Sequence, residues 1–346
     1  MPGHATSKRV MLCTMVLLFG ALSTSAPRTC RAQPTVDIGG LAYFDYTYLI
    51  NTPFADAEGW NTFDYRRIYL TTDFTLSDEF SGRVRLEAQG KVLTEQGRPA
   101  PFVKDAYLAW QDPIGDGSRL RFGVQPPPVF EVSERTWGYR SLDKTIMDRV
   151  GANDSRDFGI RADVSLAGDG AIRLAGMFAN GNGVSPEFDL GRGKHVYVQV
   201  QAFPNDVLRL SAGTDYEVLD GEGDFRKGIL KASGFVGAAS ESFHGGVEAY
   251  YQRTTYDDFF ADEGPLSAFG VSAFGAVNIS DQTSLVGRYD FVEVAVGRSS
   301  PPSHYGLAAF VYRPDPLVEL MPNVVLFWVP NVTPTVWGRF TVHVRF

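Results

Sequence analysis

The chain has 346 residues, with 40 acidic and 32 basic side chains, and a formal net charge of −8. This acidic balance excludes nucleic acid as a probable partner, because nucleic-acid surfaces are recognised by clusters of Lys and Arg. No stretch after residue 32 holds 18 uninterrupted apolar residues, so the sequence contains no candidate for a membrane-spanning helix.

The first 32 residues are predicted to be a secretory signal peptide, and residues 33–346 the mature domain. Lys8 and Arg9 precede an apolar run that is shorter than the roughly 20 residues a spanning helix needs. The segment holds four basic residues, no acidic residue and both cysteines of the chain. The mature chain would therefore carry 28 basic and 40 acidic residues, a net charge of −12, and would have no thiol for a disulfide or a thiolate metal site.

Sixteen stretches of roughly ten residues alternate apolar and polar side chains, as strands with two different faces do. The predicted strands lie near 35–50, 63–76, 80–92, 102–111, 119–125, 154–166, 171–180, 194–203, 207–217, 228–239, 242–256, 266–279, 283–294, 303–313, 317–329 and 336–346. The stretches at 228–239, 266–279 and 317–329 alternate poorly, so their boundaries are the least defined.

Residues 80–92 alternate most clearly. Phe80, Val84 and Leu86 share one face, and Arg83 and Arg85 share the other. One such strand fits a soluble sandwich as well as a membrane barrel, because each needs one apolar and one polar face.

The lengths of the connections separate these two folds. Short turns such as 77–79, 204–206 and 314–316 alternate with long loops such as 51–62 and 126–153. Outer-membrane barrels have short periplasmic turns and long external loops, whereas a sandwich has no reason to sort its loops in this way. The sequence therefore predicts an all-β fold, a 16-stranded antiparallel transmembrane β-barrel in a bacterial outer membrane.

The polar faces of the predicted strands carry arginines, mainly on the first half of the barrel wall. The candidate pore-lining and selectivity residues are Arg67, Arg83, Arg85, Arg121, Arg161, Arg173 and Arg209. This many charges cannot lie in a dry core without partners, so they indicate a water-filled lumen. Acids of the same parity could pair with them and weaken any selectivity; these acids are Asp73, Glu87, Asp105, Asp157, Asp163 and Glu248.

The loop from 126 to 153 is the longest connection, with 28 residues, and is predicted to fold inward. It brings both signs of charge to a constriction, where clustered charge concentrates counter-ions and filters solutes. The candidate constriction residues are Glu131, Glu134, Arg135, Arg140, Asp143, Lys144, Asp148 and Arg149. The alternative is an external loop that these charges keep soluble.

The last predicted strand is apolar at every second position down to the terminal aromatic Phe346. This pattern resembles the carboxyl-terminal signal that hands outer-membrane proteins to the barrel assembly machinery.

Several short fragments resemble the phosphate-selective porin O and P family. They are Arg66-Arg67, Lys104-Asp105-Ala106-Tyr107-Leu108, Arg121-Phe122-Gly123-Val124-Gln125-Pro126, Arg156-Asp157-Phe158-Gly159, Asn180-Gly181-Asn182-Gly183, Arg288-Tyr289-Asp290 and Gly306-Leu307. The resemblance implies a 16-stranded, trimeric channel with a third loop that narrows the pore. The family usually has a lysine between Gln125 and Pro126 and Phe-Gly afterwards, whereas Pro127 and Pro128 follow here. That departure concerns substrate preference more than fold.

The expected function is passive diffusion of small hydrophilic solutes and ions through an outer-membrane channel with a mild anion preference. The expected partners are those solutes or anions, outer-membrane lipid and lipopolysaccharide, the assembly machinery and two further copies in a homotrimer. Phosphate specialists of the family are said to use lysines in the fifth loop, but acids outnumber bases at 218–227 here. A phosphate or polyphosphate channel is therefore one alternative, and a plugged structural or adhesion barrel is another.

An enzyme is not expected, and neither is a cofactor, a metal site or a catalytic residue. The mature histidines show no paired metal spacing and lie near no Gly-x-Ser-x-Gly turn; they are His195, His244, His304 and His343. A barrel hydrolase stays a hypothesis, which loss of lipid-ester turnover on replacing a lumen histidine would support.

Overall fold

The fold is described from a computed structural model, which covers residues 33–90, 92–167, 170–184, 193–220, 226–256, 264–297 and 300–346. The predicted signal peptide lies outside these residues, as do residues 221–225 of the fifth loop and 257–263 of the sixth. Sixteen strands lie within the described residues: β1 (Thr35–Asn51), β2 (Asn61–Thr75), β3 (Phe80–Ala88), β4 (Phe102–Gln111), β5 (Arg119–Gln125), β6 (Asp157–Ser165), β7 (Ile172–Ala179), β8 (His195–Ala202), β9 (Leu208–Asp220), β10 (Arg226–Ala239), β11 (Phe243–Tyr256), β12 (Leu266–Ser280), β13 (Thr283–Glu293), β14 (Ser303–Asp315), β15 (Val318–Trp328) and β16 (Thr335–Arg345).

The strands close into one antiparallel barrel, which confirms the predicted fold class. Each strand pairs with its neighbours in sequence, and β1 pairs with β16. Tyr43 lies opposite His343 across that closing seam. Closure leaves no strand edge unpaired, which is what a sheet needs if it is to span lipid.

The connections alternate in length around the barrel. Residues 240–242 and 281–282 are tight turns, while 52–60 and 126–156 are longer connections that begin and end at the opposite rim. Asn205 illustrates how a short turn is built, because its Oδ1 accepts hydrogen bonds from the backbone N–H of Val207 (2.9 Å) and of Leu208 (2.7 Å). We call the rim with the tight turns the short-turn end.

The strand β3 ends at Ala88, four residues before the sequence pattern predicted. The chain turns at Gly90, whose N–H donates to Tyr65 O (3.2 Å), and the N–H of Val92 then donates to Gln89 O (3.2 Å). The first bond still reaches the neighbouring strand β2, and the second closes a turn, so the strand ends here although the apolar alternation continues in the sequence.

The outer face of the barrel is apolar. Val84 on β3 is 42% exposed, and Phe122 on β5 and Val236 on β10 are about as exposed or more so. Their neighbours Arg83 and Arg85 point to the other side of the sheet, toward the enclosed interior. The face fit for hydrocarbon is therefore the outside, as in barrels that span membranes.

No helix in the described part of the chain is long and apolar enough to cross a membrane.

The three strands that alternate poorly carry apolar residues on both faces. Phe235 on β10, Phe274 on β12 and Met321 on β15 are buried inside the barrel, while Val236 and Val277 are exposed outside. Their interior side chains belong to a cluster that also contains residues of the third loop. These strands alternate poorly because their inward side chains pack against the loop and are therefore apolar instead of polar.

Candidate permeation site

The third loop, residues 126–156, lies inside the barrel and contains two short helices, α1 (Glu131–Trp137) and α2 (Ile146–Arg149). Gly138 ends α1 in the left-handed conformation (φ 70°), and its N–H donates to Glu134 O at 3.1 Å. Side chains on opposite walls bind the loop: Arg161 of β6 reaches Glu131, and Arg313 of β14 reaches Tyr139. A segment that bonds to opposite walls of a closed barrel crosses its lumen.

Apolar side chains fix one side of the loop to the second half of the wall. Trp137 is completely buried, and its ring lies 5.2 Å from that of Phe274. The first cluster consists of Val132, Trp137, Tyr139, Leu142, Phe235, Phe274, Ala276, Val286, Tyr305, Leu307, Ala309, Val311 and Met321. A second cluster includes Val129, Phe130, Ile146 and Met147 of the loop. Most wall residues of the two clusters lie on β10–β16, which we call the covered wall; Met177 and Ala179 of β7 and Tyr197 of β8 also belong to the second cluster.

Three arginines of the wall hold the backbone at the centre of the loop. Arg66 donates to Ser141 O (2.7 Å) and to Leu142 O (2.8 Å), and Arg339 also donates to Leu142 O (2.7 Å). Arg288 donates to Lys144 O. These bonds satisfy backbone carbonyl groups that no helix or strand pairs. Because the donors are charged, each bond holds the loop more strongly than a neutral donor would.

The opposite side of the lumen, β2–β8, is the wall that carries most of the predicted arginines, and we call it the arginine wall. Five of the seven predicted pore-lining arginines form ion pairs there. The pairs are Arg67–Glu87 (2.7 Å), Arg83–Asp73 (2.6 Å), Arg85–Asp105 (3.2 Å), Arg121–Asp163 (2.7 Å), Arg161–Glu131 (2.6 Å) and Arg161–Asp163 (2.6 Å). Four of the acids that the sequence offered as partners are in these pairs. The remaining two, Asp157 and Glu248, bind hydroxyl groups of Tyr197 and Ser133 instead.

The other two predicted arginines, Arg173 and Arg209, lie at the short-turn end. Their guanidinium carbons lie 5.4 Å and 5.8 Å from the ring centre of Phe203. Arg209 also donates to backbone carbonyls of its own turn, among them Asn205 O at 3.1 Å. Neither arginine forms an ion pair within the described residues.

Seven of the eight predicted constriction charges are bonded, either to one another within the loop or to the wall. Arg140 pairs with Glu134 and, at 2.8 Å, with Asp148, which Lys144 also contacts at 2.7 Å. Arg149 pairs with Asp290 of β13 at 3.0 Å, and Tyr305 donates to Asp143 at 2.5 Å. Arg135 is exposed and has no hydrogen bond or ion pair with any described residue.

The local charges keep the loop carboxyl groups ionised. Burial opposes ionisation of Glu131, but the Arg161 guanidinium outweighs burial and holds its pKa below the ordinary value. The pKa of Asp148 is lowered in the same way, against burial, by Arg140 and Lys144. The pKa of Asp143 is lowered against burial by Arg288 and by the hydrogen bond from Tyr305. Opposite charges and hydrogen bonds thus outweigh desolvation at these three carboxyl groups.

Two interior residues were missed by the parity of the sequence, Arg66 and Lys104. The pairing register shifts beside each of them, which is the signature of a β-bulge. A bulge lets two consecutive residues face the same side, so Arg66 joins Arg67, and Lys104 joins Asp105, in the lumen. Lys104 then binds Glu87 at 3.1 Å. The sequence held one sign of each bulge: two charged residues stand next to each other, although one of them should face the apolar outside of the barrel.

Cavities remain beside the arginine wall. One of about 620 Å³ lies at the short-turn end against Arg135, Arg173 and Phe203, and a neighbouring one of about 590 Å³ reaches Arg121 and Arg161. A smaller cavity of about 200 Å³ lies on the other side of the loop, beside Arg66, Arg67 and Arg140. Cavity space lined by charged side chains therefore follows the arginine wall.

No family model matches the sequence, and no curated protein matches it. Solved structures do match. An anion-selective porin from Comamonas acidovorans superposes with a TM-score of 0.68 at 10% identity, over 91% of this chain and 100% of the porin. The chain has the fold of an outer-membrane porin.

Two further structures agree with that assignment of the fold. The outer-membrane channel DcaP of Acinetobacter baumannii gives a TM-score of 0.67 at 12% identity, over 93% of this chain and 100% of DcaP. A trimer form of the outer-membrane protein OmpT of Vibrio cholerae gives 0.60 at 13% identity, over 91% of this chain and 99% of OmpT. These similarities are to outer-membrane proteins of this fold in general, and none supports the phosphate-selective O and P family in particular.

Proposed function

We propose that the protein is an outer-membrane channel through which small hydrophilic solutes and ions diffuse passively, with a mild anion preference. The observation that carries the proposal is the division of the lumen: the third loop packs on the covered wall and leaves charged cavities along the arginine wall. A lumen that is polar on one side, inside a barrel that is apolar outside, suits diffusion of hydrated solutes.

The ion pairs account for the mildness of the preference. Arg67, Arg83 and Arg85 each lie beside a carboxylate, so a passing anion meets a nearly neutral surface there. Arg135, Arg173 and Arg209 have no such partner among the described residues and give the positive excess. Guanidinium groups stay charged at any physiological pH, so this excess is constant.

A salt-gradient experiment tests the proposal. Purified protein in a planar lipid bilayer should conduct KCl, and the reversal potential should have the sign of anion permeation but stay well below the ideal anion value. A reversal potential of the cation sign would contradict the anion preference. Turnover of lipid esters by the same preparation would contradict a purely passive role.

A second candidate is a plugged barrel that serves as a structural or adhesion surface. It is favoured by the many bonds of the loop to both walls, and by cavities that lie on opposite sides of the loop. Zero conductance in the same bilayer experiment would favour it over the channel.

Two finer assignments also belong to the proposal. A dedicated phosphate or polyphosphate channel would be blocked by phosphate at low concentration, and the paired arginines argue against it. We further propose a homotrimer in contact with lipid and lipopolysaccharide, delivered to the assembly machinery through Phe346. The trimer form of the Vibrio cholerae protein of similar fold supports the oligomeric state.

A further inference from the structure

One interior cavity lies at the short-turn end, and we call it the mouth cavity. Its volume of about 620 Å³ lies within the range of small-molecule sites. One side is formed by α1, through Val132 and Arg135, and the other by β7 and the β8–β9 turn, through Arg173 and Phe203. The cavity is thus built from both the third loop and the wall.

The mouth cavity differs in charge from the rest of the arginine wall. Its three arginines, Arg135, Arg173 and Arg209, have no ion pair with any described residue, whereas Arg67 and Arg121 deeper in the lumen do. Among the described residues that line the cavity, Asp206 is the one acid, and its carboxylate has no bond to these arginines. An anion here would meet the guanidinium groups of Arg135 and Arg173, which have no hydrogen bond or ion pair with a described residue, whereas Arg209 already donates to carbonyl groups of its own turn.

The floor of the mouth cavity is apolar. Phe203 lies under Arg173 and Arg209 and packs against the cluster that contains Val132, and Ala239 also lines the cavity. Inorganic phosphate would use only the guanidinium groups. A solute that joins a carboxylate to an apolar body would use both surfaces, since burial of its body adds a hydrophobic contribution.

We propose that the mouth cavity binds organic carboxylates with a small apolar or aromatic body. The carboxylate lies between Arg135 and Arg173, and the body lies against Phe203 and Val132. Arg135 and Arg173 also line the neighbouring cavity of about 590 Å³, so a solute that moves between the two cavities passes both groups. This rests on the proposed channel function, because it names the class of solute that the channel favours.

Equilibrium dialysis tests the site without requiring conduction. Radiolabelled benzoate is dialysed against the detergent-solubilised full chain, with inorganic phosphate and benzyl alcohol as competitors. We expect benzoate to bind, phosphate to compete poorly and benzyl alcohol, which lacks the charge, to compete hardly at all. Loss of one charge-assisted contact in Arg173→Gln should weaken benzoate binding about fivefold, because the site is partly exposed.

Two variants separate the site from a general charge effect. Phe203→Ala should weaken benzoate binding but leave the affinity of the site for phosphate unchanged. Arg119→Gln removes the same charge at the same end of the barrel, but Arg119 donates to Gln111 (3.0 Å) and lies outside the lining of the mouth cavity. It should bind benzoate as the wild type does. Equal binding by wild type and Arg173→Gln, or phosphate competition as strong as that of benzoate, would overturn the proposal.

A bilayer measurement distinguishes failure of the site from failure of the channel. Benzoate added to wild-type channels should reduce KCl current at lower concentration than phosphate does, and Arg173→Gln should remove most of that difference. Benzoate binding in dialysis without any KCl current would contradict the channel function and support the carboxylate site. KCl current with no benzoate binding would contradict the carboxylate site and support the channel function.

Discussion

The two walls of the lumen are built from the same kind of strand but differ in the chemistry of their inward side chains. On the arginine wall, β2–β8, many inward side chains are charged and paired with acids, and cavities lie beside them. On the covered wall, β10–β16, many inward side chains are apolar and pack against Trp137 and Leu142 of the third loop. The lumen is therefore polar on one side and a protein core on the other, and the loop decides which side carries solute.

The difference has an energetic basis. Apolar surface buried between the loop and the covered wall contributes about 25 cal/mol per Å². The charged inward side chains of β2–β6 offer little such surface, whereas Met177, Ala179 and Tyr197 of β7 and β8 pack with the loop in the second cluster. A loop with one apolar side therefore lies mainly against β10–β16 and leaves cavities beside the charged part of the arginine wall.

The largest expected effect is that of Trp137→Ala, which would detach the loop from the covered wall. Trp137 is fully buried, and its Nε1 donates to Asp143 O at 2.8 Å. Loss of a buried Trp costs about 3–5 kcal/mol. We expect noisier and larger single-channel currents and a lower denaturant midpoint. Trp60→Ala is the matched control, since Trp60 is exposed on the outer side of the first loop region; equal effects of the two variants would contradict the packing account.

A smaller effect is expected for Arg161→Gln, at the junction of the loop with the arginine wall. Arg161 binds Glu131, Asp163 and Pro126 O, the last at 2.9 Å. Removing it leaves Glu131 without its guanidinium partner, while Asp163 keeps Arg121, and should cost about 2–3 kcal/mol, less than a fully buried pair because Glu131 keeps some exposure. Urea unfolding measures the loss. The reversal potential should also move toward cations, and a stable variant with unchanged selectivity would remove Arg161 from both roles.

Acid should loosen the loop only below the ordinary pKa of carboxyl groups. The pKa values of Glu131, Asp143 and Asp148 are lowered in the folded protein, so their contribution to stability is complete above about pH 4. It is lost as the pH falls through the lowered folded-state values. Current noise recorded against pH should stay flat from pH 7 to about 4.5 and rise below about 4.

Arg140→Gln should move that acid transition to higher pH. Burial opposes ionisation of Asp148, and the variant leaves Lys144 as the one remaining cation bound to it. The same pH series of current noise measures the shift. A transition near pH 6 in the wild type, or no movement in the variant, would show that other groups hold the loop.

The smallest expected effects are shifts in ion selectivity, which should differ between variants of the two walls. Arg85→Gln on the arginine wall leaves Asp105 with Arg156 and should shift the reversal potential modestly toward cations. Arg313→Gln on the covered wall removes a guanidinium bound to Glu319 (3.0 Å) and to Tyr139, away from the cavities, and should shift it hardly at all. Equal shifts would mean that solutes also pass along the covered wall.

Much of the fold follows from the sequence because strand parity and connection length are local properties. Sixteen strands and their order were predicted from them, and Val84 and Arg85 lie on opposite faces, as the alternation at 80–92 indicated. The poor alternation at 228–239 has a physical cause that the sequence alone does not reveal. Phe235 faces inward there because Trp137 and its neighbours from a distant segment cover it.

The site was predictable in composition but not in arrangement. All seven predicted arginines lie in strands, but period-two parity could not place Arg66 or Lys104, since a bulge breaks the period. The distinction between paired arginines such as Arg83 and unpaired Arg173 depends on which acids lie across the ladder. That depends on register, which the closure of the whole barrel fixes.

Thiol accessibility tests the division of the lumen most directly, because the two cysteines of the chain, Cys13 and Cys30, lie in the expected signal peptide. Single cysteines are placed at Thr71, inward on β2, and at Ala309, inward and buried on β14. Channels in a bilayer are then exposed to a charged methanethiosulfonate reagent. The account predicts a rapid change of current for Thr71→Cys and no change for Ala309→Cys. Reaction at Ala309→Cys with none at Thr71→Cys would contradict it.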